Sequence, residues 1–217
     1  MTKYIFALYF ILFGNTKHLF ECWKVEVIRR DRFLIHRLLR EKRSRSRKYI
    51  FWWRLANEMF IHGGKYTKKA AKKINRKLLS EYSCDLGLGL TVGKGLTIIH
   101  HTGIVVTSTA IIGENLTIRQ NTTIGRSQSD NEHDRITIGN NVDIGAHSFI
   151  LGSGFKIGDN VKIGAMSFIM DEIPSNCTYV TRKESRIISK EGANKRGNSS
   201  RLTQSFHFFM FEPFFLP

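Results

Sequence analysis

Residues 136–169 read ITIGNNVDIGAHSFILGSGFKIGDNVKIGAMSFI, and isoleucine returns there at 138, 144, 150, 157, 163 and 169, with Gly139, Gly145, Gly158 and Gly164 directly after four of them. The same six-residue beat runs upstream through Val92-Gly93, Ile98, Ile104, Ile112-Gly113, Ile118 and Ile124-Gly125. A helical stripe returns every ~3.6 residues and a strand alternates every ~2, so neither has this period. Each unit therefore reads as one short strand and one corner of a solenoid, with three units closing a triangular coil of ~18 residues. The inward aliphatic residues stack into one core. Glycine, asparagine and aspartate after them, as in Gly139-Asn140-Asn141 and Gly158-Asp159-Asn160, tolerate the tight corner backbone. Such a coil offers flat faces and edges on which ligands bind between subunits.

The beat breaks once. From Ile124 to Ile138 the step is fourteen residues instead of six, so about eight residues within Arg126–Arg135 leave the coil as a loop. A polar loop on a rigid solenoid suits the wall of a ligand site. A surface insertion without function is the alternative, since loops are where insertions accumulate.

The charge is distributed just as unevenly. Of the 217 residues, 1–80 hold 21 Lys+Arg against 5 Asp+Glu, a net of +16, whereas 81–217 hold 13 against 13. The whole excess belongs to the N-terminal segment, where it suits anionic lipid or a polyanionic substrate. No zinc-finger or RNP pattern accompanies it, so nucleic acid is not expected as a partner. For Lys68-Lys69-Ala70-Ala71-Lys72-Lys73 a solvated helical face is the simpler reading. Tyr4–Phe13 is apolar for ten residues, short of the ~20 that span a bilayer, and it lacks a small-residue cleavage site. It is expected either as an anchor lying in a membrane interface or as a core helix. Ser46–His62 carries Tyr49, Trp52, Trp53, Leu55, Ala56, Met59 and Phe60 at helical spacing and ends at Gly63-Gly64. Lys65–Ser80 reads as a second, basic helix.

The expected organisation is a basic helical region over 1–82, a solenoid over 83–188 and a divergent tail over 189–217. Gly192–Ser200 of the tail is polar and disorder-prone, whereas Phe206–Phe215 is strongly aromatic. Cys22, Cys84 and Cys177 are widely spaced and outside any metal or redox motif, which suits a reducing cytoplasm, with a place at the inner face of the membrane left open by the basic segment.

Chemistry concentrates in LTIIHHTGIVV, residues 96–106. Neutral imidazole is the default general base near neutral pH, and two consecutive histidines cannot both point the same way. One of His100 and His101 is expected to face a site. A base works better when a carboxylate holds its second nitrogen. Asp85 lies fifteen residues before His100, nearly one coil, which suggests an Asp85–His100 pair across stacked layers.

This stretch resembles the serine acetyltransferases and their polysaccharide-modifying relatives among the hexapeptide-repeat acyltransferases, from about Trp52 to Ile173 and most strongly from Leu90 to Gly164. Ile99-His100-His101-Thr102-Gly103-Ile104-Val105 is similar to the family's His-Ala-Thr-Gly-Val-Val signature, and Ala110-Ile111-Ile112-Gly113 to the Ala-Val-Ile-Gly that follows. The resemblance implies a left-handed parallel β-helix that forms a homotrimer, with acetyl-CoA as donor substrate held between neighbouring solenoids and no metal. It implies His100 as the catalytic base and Asp85 as the carboxylate that orients it. Gly145-Ala146 and Gly164-Ala165 match coils that line the acetyl-CoA channel, and Lys162 a basic residue near the coenzyme's phosphates.

The departures bear on the acceptor. Ile99 stands where serine acetyltransferases carry an aspartate that helps hold the serine amine. The loop's second active-site histidine aligns with Arg135, with His133 two residues away. The acidic N-terminal region of the family is replaced by a short basic one, and its Gly-x-Pro-Ala-Arg appears only as Thr181-Arg182-Lys183-Glu184-Ser185-Arg186. Together with the Thr117–Gly125 run, these favour the colanic-acid, capsule and O-antigen branch. The first expectation is thus acetyl transfer to a sugar hydroxyl of a surface polysaccharide, and the second is transfer to L-serine. His101, His133 and Arg135 are candidate acceptor contacts. A zinc enzyme on the same fold would need three converging histidines, and His100, His133 and His147 have no obvious spacing for it. A non-catalytic trimeric scaffold is the remaining reading.

Overall fold

A computed structural model describes residues 2–41, 44–126, 135–152, 154–182 and 184. The chain divides into two compact units, Met1–Arg182 and Lys183–Pro217. Gly192–Ser200 and Phe206–Phe215 lie outside the described residues.

Among the described residues of the first unit, fourteen short strands build three parallel sheets. The first sheet stacks β1 (Cys84–Leu86), β4 (Ile104–Val106), β7 (Thr123–Arg126), β10 (Phe149–Gly152) and β13 (Phe168–Ile169). The second holds β2 (Thr91–Val92), β5 (Ile111–Ile112), β8 (Thr137–Ile138) and β11 (Lys156–Ile157). The third holds β3 (Thr97–Ile99), β6 (Thr117–Arg119), β9 (Asp143–Ile144), β12 (Lys162–Ile163) and β14 (Thr178–Tyr179). The chain visits the sheets in rotation, which is the solenoid expected from the repeat and the left-handed parallel β-helix that the resemblance implies. All the beat positions from Val92 to Ile169 are buried, none more than 5% exposed. Each such side chain contributes about 1.5–3 kcal/mol of burial free energy.

The corners follow from the sequence as well. Asn115, Asn141, Asn160 and Asn176 all have φ between 55° and 62°, the left-handed region that asparagine enters more readily than most residues. They sit at successive corners between the second and third sheets. Their amides form a ladder in which Asn115 Nδ2 donates to Asn141 Oδ1 (2.9 Å), Asn141 Nδ2 to Asn160 Oδ1 (2.9 Å) and Asn160 Nδ2 to Asn176 Oδ1 (2.8 Å).

Strand registers report the coil length. From β4 to β7, Val105 opposes Thr123, an 18-residue step, whereas β3 to β6 steps 20 residues (Thr97 to Thr117) and β6 to β9 steps 26 (Thr117 to Asp143). The 26-residue step is the 18-residue coil plus the eight residues inferred to loop out. Ser127–Asp134 of that loop, His133 included, lie outside the described residues.

Among the described residues five α-helices precede the solenoid: α1 (Thr2–Phe13), α2 (Lys17–Trp23), α3 (Ile35–Glu41), α4 (Arg45–His62) and α5 (Lys65–Tyr82), with a π-helical turn at Lys24–Ile28. Gly63 separates α4 from α5 for want of room, because a Cβ there would press on the Met59 carbonyl and the Thr67 side chain. Helix α4 does more than pack. It lies against the first coil, whose β1 and β2 are edge strands. Trp53 Nε1 donates to Leu86 O (2.8 Å), Tyr49 Oη to Cys84 O (3.2 Å) and Asn57 Nδ2 to Leu90 O (2.9 Å). Arg54, 1% exposed, donates Nη1 to Val92 O (2.9 Å), Nη2 to Gly93 O (2.6 Å), and both Nε and Nη2 to the Glu26 carboxylate (3.0 and 2.6 Å). Glu26 Oε1 also accepts the Leu96 N–H (2.9 Å). One helix thereby closes the open edge of the solenoid, which as a bare strand edge would invite further pairing.

Candidate active site

The two extra residues of the first coil are found at the histidine pair. From Ile99 to Val105 the chain takes six steps, while the layer above goes from Arg119 to Thr123 in four. Every register that spans 100–101 therefore counts 20, and the one that starts after it counts 18. The corner between the third and first sheets is widened there, and His100 adopts φ 56°, a conformation that non-glycine residues hold only where the surroundings enforce it. The enforcing contacts are on either side. Gly103 N–H donates to Ser83 O (2.7 Å), and Asn121 N–H donates to Thr102 O (2.9 Å).

His100 is exposed and His101 half-buried. The His101 ring meets Tyr82 edge-on at 5.2 Å, and the Arg45 guanidinium lies 6.0 Å over that same Tyr82 ring. Burial first, and then the Arg45 charge, hold the His101 imidazole below its ordinary range, against an opposing hydrogen bond with the Tyr82 backbone. Among the described residues His101 Nδ1 and Gln120 Oε1 are buried without a hydrogen-bond partner. Gln120 follows Arg119 as His100 follows Ile99, so both orphaned atoms belong to this corner. Unpaired buried polar atoms are rare enough to call for a ligand, water or a function.

Asp85 lies in the layer stacked against β4, as its spacing suggested, in register with Val105, and among the described residues no hydrogen bond joins it to His100. Arg135 is exposed and enters β8 at the corner between the first and second sheets, away from the histidine edge of its own chain.

The remaining site residues fall on the histidine edge. Gly145-Ala146 follows β9 and Gly164-Ala165 follows β12, at the same third-to-first corner in the next two layers after Gln120-Asn121. These layers are stacked tightly. A Cβ on Gly145 would press on the backbone of Gly164 and Ala165, so only glycine fits there. Buried hydroxyls behind the corner satisfy its carbonyls: Ser148 Oγ donates to Gly145 O (2.9 Å) and Ser167 Oγ to Gly164 O (2.7 Å). Lys162 is exposed on the third sheet, in register with Asp143, which itself pairs with Arg119. His100 and Ala165 are separated by three layers, roughly 14 Å at ~4.8 Å per layer. An extended ligand laid along this edge would touch all of them.

Sequence reasoning missed Arg45, Tyr82 and Gln120. Arg45 and Tyr82 are the ends of α4 and α5, brought to the corner by the helical fold, and Gln120 carries no signal but its layer position. Cys22 and Cys84 are poor nucleophiles, because burial pushes their thiols up to about 12. Among the described residues no group of three or more His, Cys, Asp or Glu side chains is arranged to hold a metal ion.

No protein-family model matches the chain. A chloroplastic serine acetyltransferase of Arabidopsis thaliana is 38% identical over 138 residues, covering 63% of this chain and 43% of the relative. A serine acetyltransferase of Staphylococcus epidermidis is 39% identical over 127 residues, covering 56% and 59%. The crystal structure of Neisseria gonorrhoeae serine acetyltransferase in complex with serine superposes with a TM-score of 0.66 and 26% identity, over 83% of this chain and 72% of that one. The chain shares its fold with serine acetyltransferases. It spans about half the length of the curated relatives it matches.

Proposed function

We propose that this chain is an acetyl-CoA-dependent O-acetyltransferase whose general base is His100. The observation that carries the reading is the corner widened by two residues, which presents an enforced, exposed imidazole on the same edge as the close-packed Gly145-Ala146 and Gly164-Ala165 layers. His100 takes the proton of the acceptor hydroxyl, and the oxygen attacks the thioester carbon. The carbon–sulfur bond breaks, the acetyl ester forms, and the proton passes from His100 to the departing coenzyme A thiolate. Lys162 is the cation for the coenzyme's phosphates, and Asp85 the carboxylate that comes to hold the base.

L-Serine is the acceptor that the similarities favour, since the relatives in both sequence and structure are serine acetyltransferases and one holds serine. A saccharide hydroxyl is the second reading, and a specific feature supports it. Among the described residues, Ile99 and the Arg45 charge that acts on His101 stand at this corner where a desolvated ammonium would need a carboxylate of its own, apart from the one assigned to the base, and an unpaired buried charge costs several kcal/mol. Arg135 sits on the other corner of the same chain, so it reaches a histidine edge only from a neighbouring subunit, in keeping with a trimer.

Thiol release from acetyl-CoA, with L-serine and with saccharide acceptors in parallel, tests both parts. His100→Ala should lower turnover by ~10²–10⁴ with either acceptor while coenzyme A binding persists. Unchanged turnover in the variant removes His100 from its role. Saturation by L-serine at submillimolar concentration with inert saccharides decides for serine, and the reverse decides for the saccharide.

A further inference from the structure

Helix α1 has two apolar faces, and among the described residues only one of them is covered. Ala7 and Phe10 are buried, and Phe6 stacks on Tyr66 of α5 at 6.1 Å. On the opposite side Ile5, Leu8, Tyr9 and Leu12 follow the i, i+3, i+4, i+7 pattern and are 57–64% exposed, with Phe13 at 74%. Lys3 is the single charged residue of the helix. A stripe of this length without charge is not an ordinary solvated face, since isolated surface apolar residues are common but continuous ones mark contact sites.

Cations back the helix. The grooves where α1 meets α5, on the side away from the stripe, are lined by Lys3, Lys69, Lys73, Arg76 and Lys77. Among the described residues the one carboxylate lining those grooves, Glu81, pairs with Lys77 at 3.2 Å. An apolar stripe on one side of a helix and a bank of lysines behind it is the pattern of a helix lying in the plane of an anionic membrane, with its side chains among the acyl chains and the ammonium groups at headgroup level. Twelve residues of helix measure roughly 18 Å, which excludes crossing a bilayer of ~30 Å. Among the described residues no helix is long and apolar enough to span. A second copy of the chain fits this face poorly, because it would bring two segments of net charge +16 together.

We infer that α1, backed by the basic face of α5, is a membrane-interface dock for bilayers with anionic headgroups. This stands apart from the acetyl-transfer reading and would hold whichever acceptor is used. The test is co-sedimentation of the full chain with phosphatidylcholine vesicles, with and without phosphatidylglycerol, at low and high salt. Binding should require phosphatidylglycerol, weaken with salt, and fall roughly tenfold or more in both Leu8→Asp/Leu12→Asp and Lys69→Glu/Lys73→Glu. Circular dichroism guards against misfolding, and Ile5→Ser/Leu12→Ser serves as the milder stripe variant. The inference fails if wild type ignores anionic vesicles at low salt, or if folded stripe variants bind undiminished, which would put the contact elsewhere in the chain. It also fails if the stripe variants abolish only self-association, which would make a second copy the occupant.

Discussion

His101 is the residue whose chemistry depends most on what the fold brings to it. Tyr82 covers its ring and Arg45 adds a positive charge, and burial is the larger of the two effects on its imidazole. The folded chain therefore prefers the neutral ring. As pH falls through about 6.5 the unfolded chain takes up the proton first, so the stability tied to His101 is present above that pH and is lost below it, on the way to the depressed folded value. His101→Asn removes this titration. Thermal melts of the variant should lose less stability than wild type between neutral and mildly acidic pH, and identical acid slopes would refute the assignment. The pair itself was legible from two consecutive histidines inside the beat. Its surroundings were not, because residues 45 and 82 reach position 101 only through helix packing.

At the scale of elements, α4 matters because its polar side chains complete the backbone hydrogen bonding of the first coil. Arg54 and Glu26 form a buried pair, in which burial pushes the Glu26 carboxyl up against the opposing pull of two bonds from Arg54 and one from Leu96 N–H. Replacing such a pair wholesale is often tolerated, but removing one partner leaves an uncompensated buried charge. Arg54→Met should therefore cost about 3–5 kcal/mol in urea unfolding, whereas Lys72→Met on the exposed face of α5 should stay within about 0.5 kcal/mol. Equal effects of the two would show that α4 merely packs. The aromatic spacing of α4 was readable from the sequence. The capping role was not, since Arg54 and Asn57 look like solvent residues until a strand edge is set beside them.

For the molecule as a whole, one solenoid face stands out. Val105, Phe149 and Phe168 are 44–52% exposed, and strand register stacks them on the outer side of the first sheet, with Phe149 and Phe168 rings 6.4 Å apart. This face lies between the histidine edge and the loop edge, so closing three prisms through it sets the loop of one subunit beside the histidines of the next. Sedimentation should show a trimer at micromolar concentration, and Phe149→Asp/Phe168→Asp should dissociate it and lower acetyl transfer together. A wild-type monomer with full activity would overturn this assembly.

The six-residue beat alone specified the solenoid, its inward residues, its asparagine corners and the size of its looped insertion, because each of those depends only on local period and on which residues tolerate a tight turn. Position in space was decided by the tertiary structure. Two residues added at 100–101 lengthen one coil to 20 residues, and strand register sets Asp85 opposite Val105, five residues past His100. The same holds for the helices, where the sequence showed an apolar stretch and a basic one, and only their packing separated the buried face of α1 from the one left outside. Periodicity is a property of neighbours along the chain. Which side chains meet is settled by register and by the burial of one surface against another, and these depend on residues far apart in sequence.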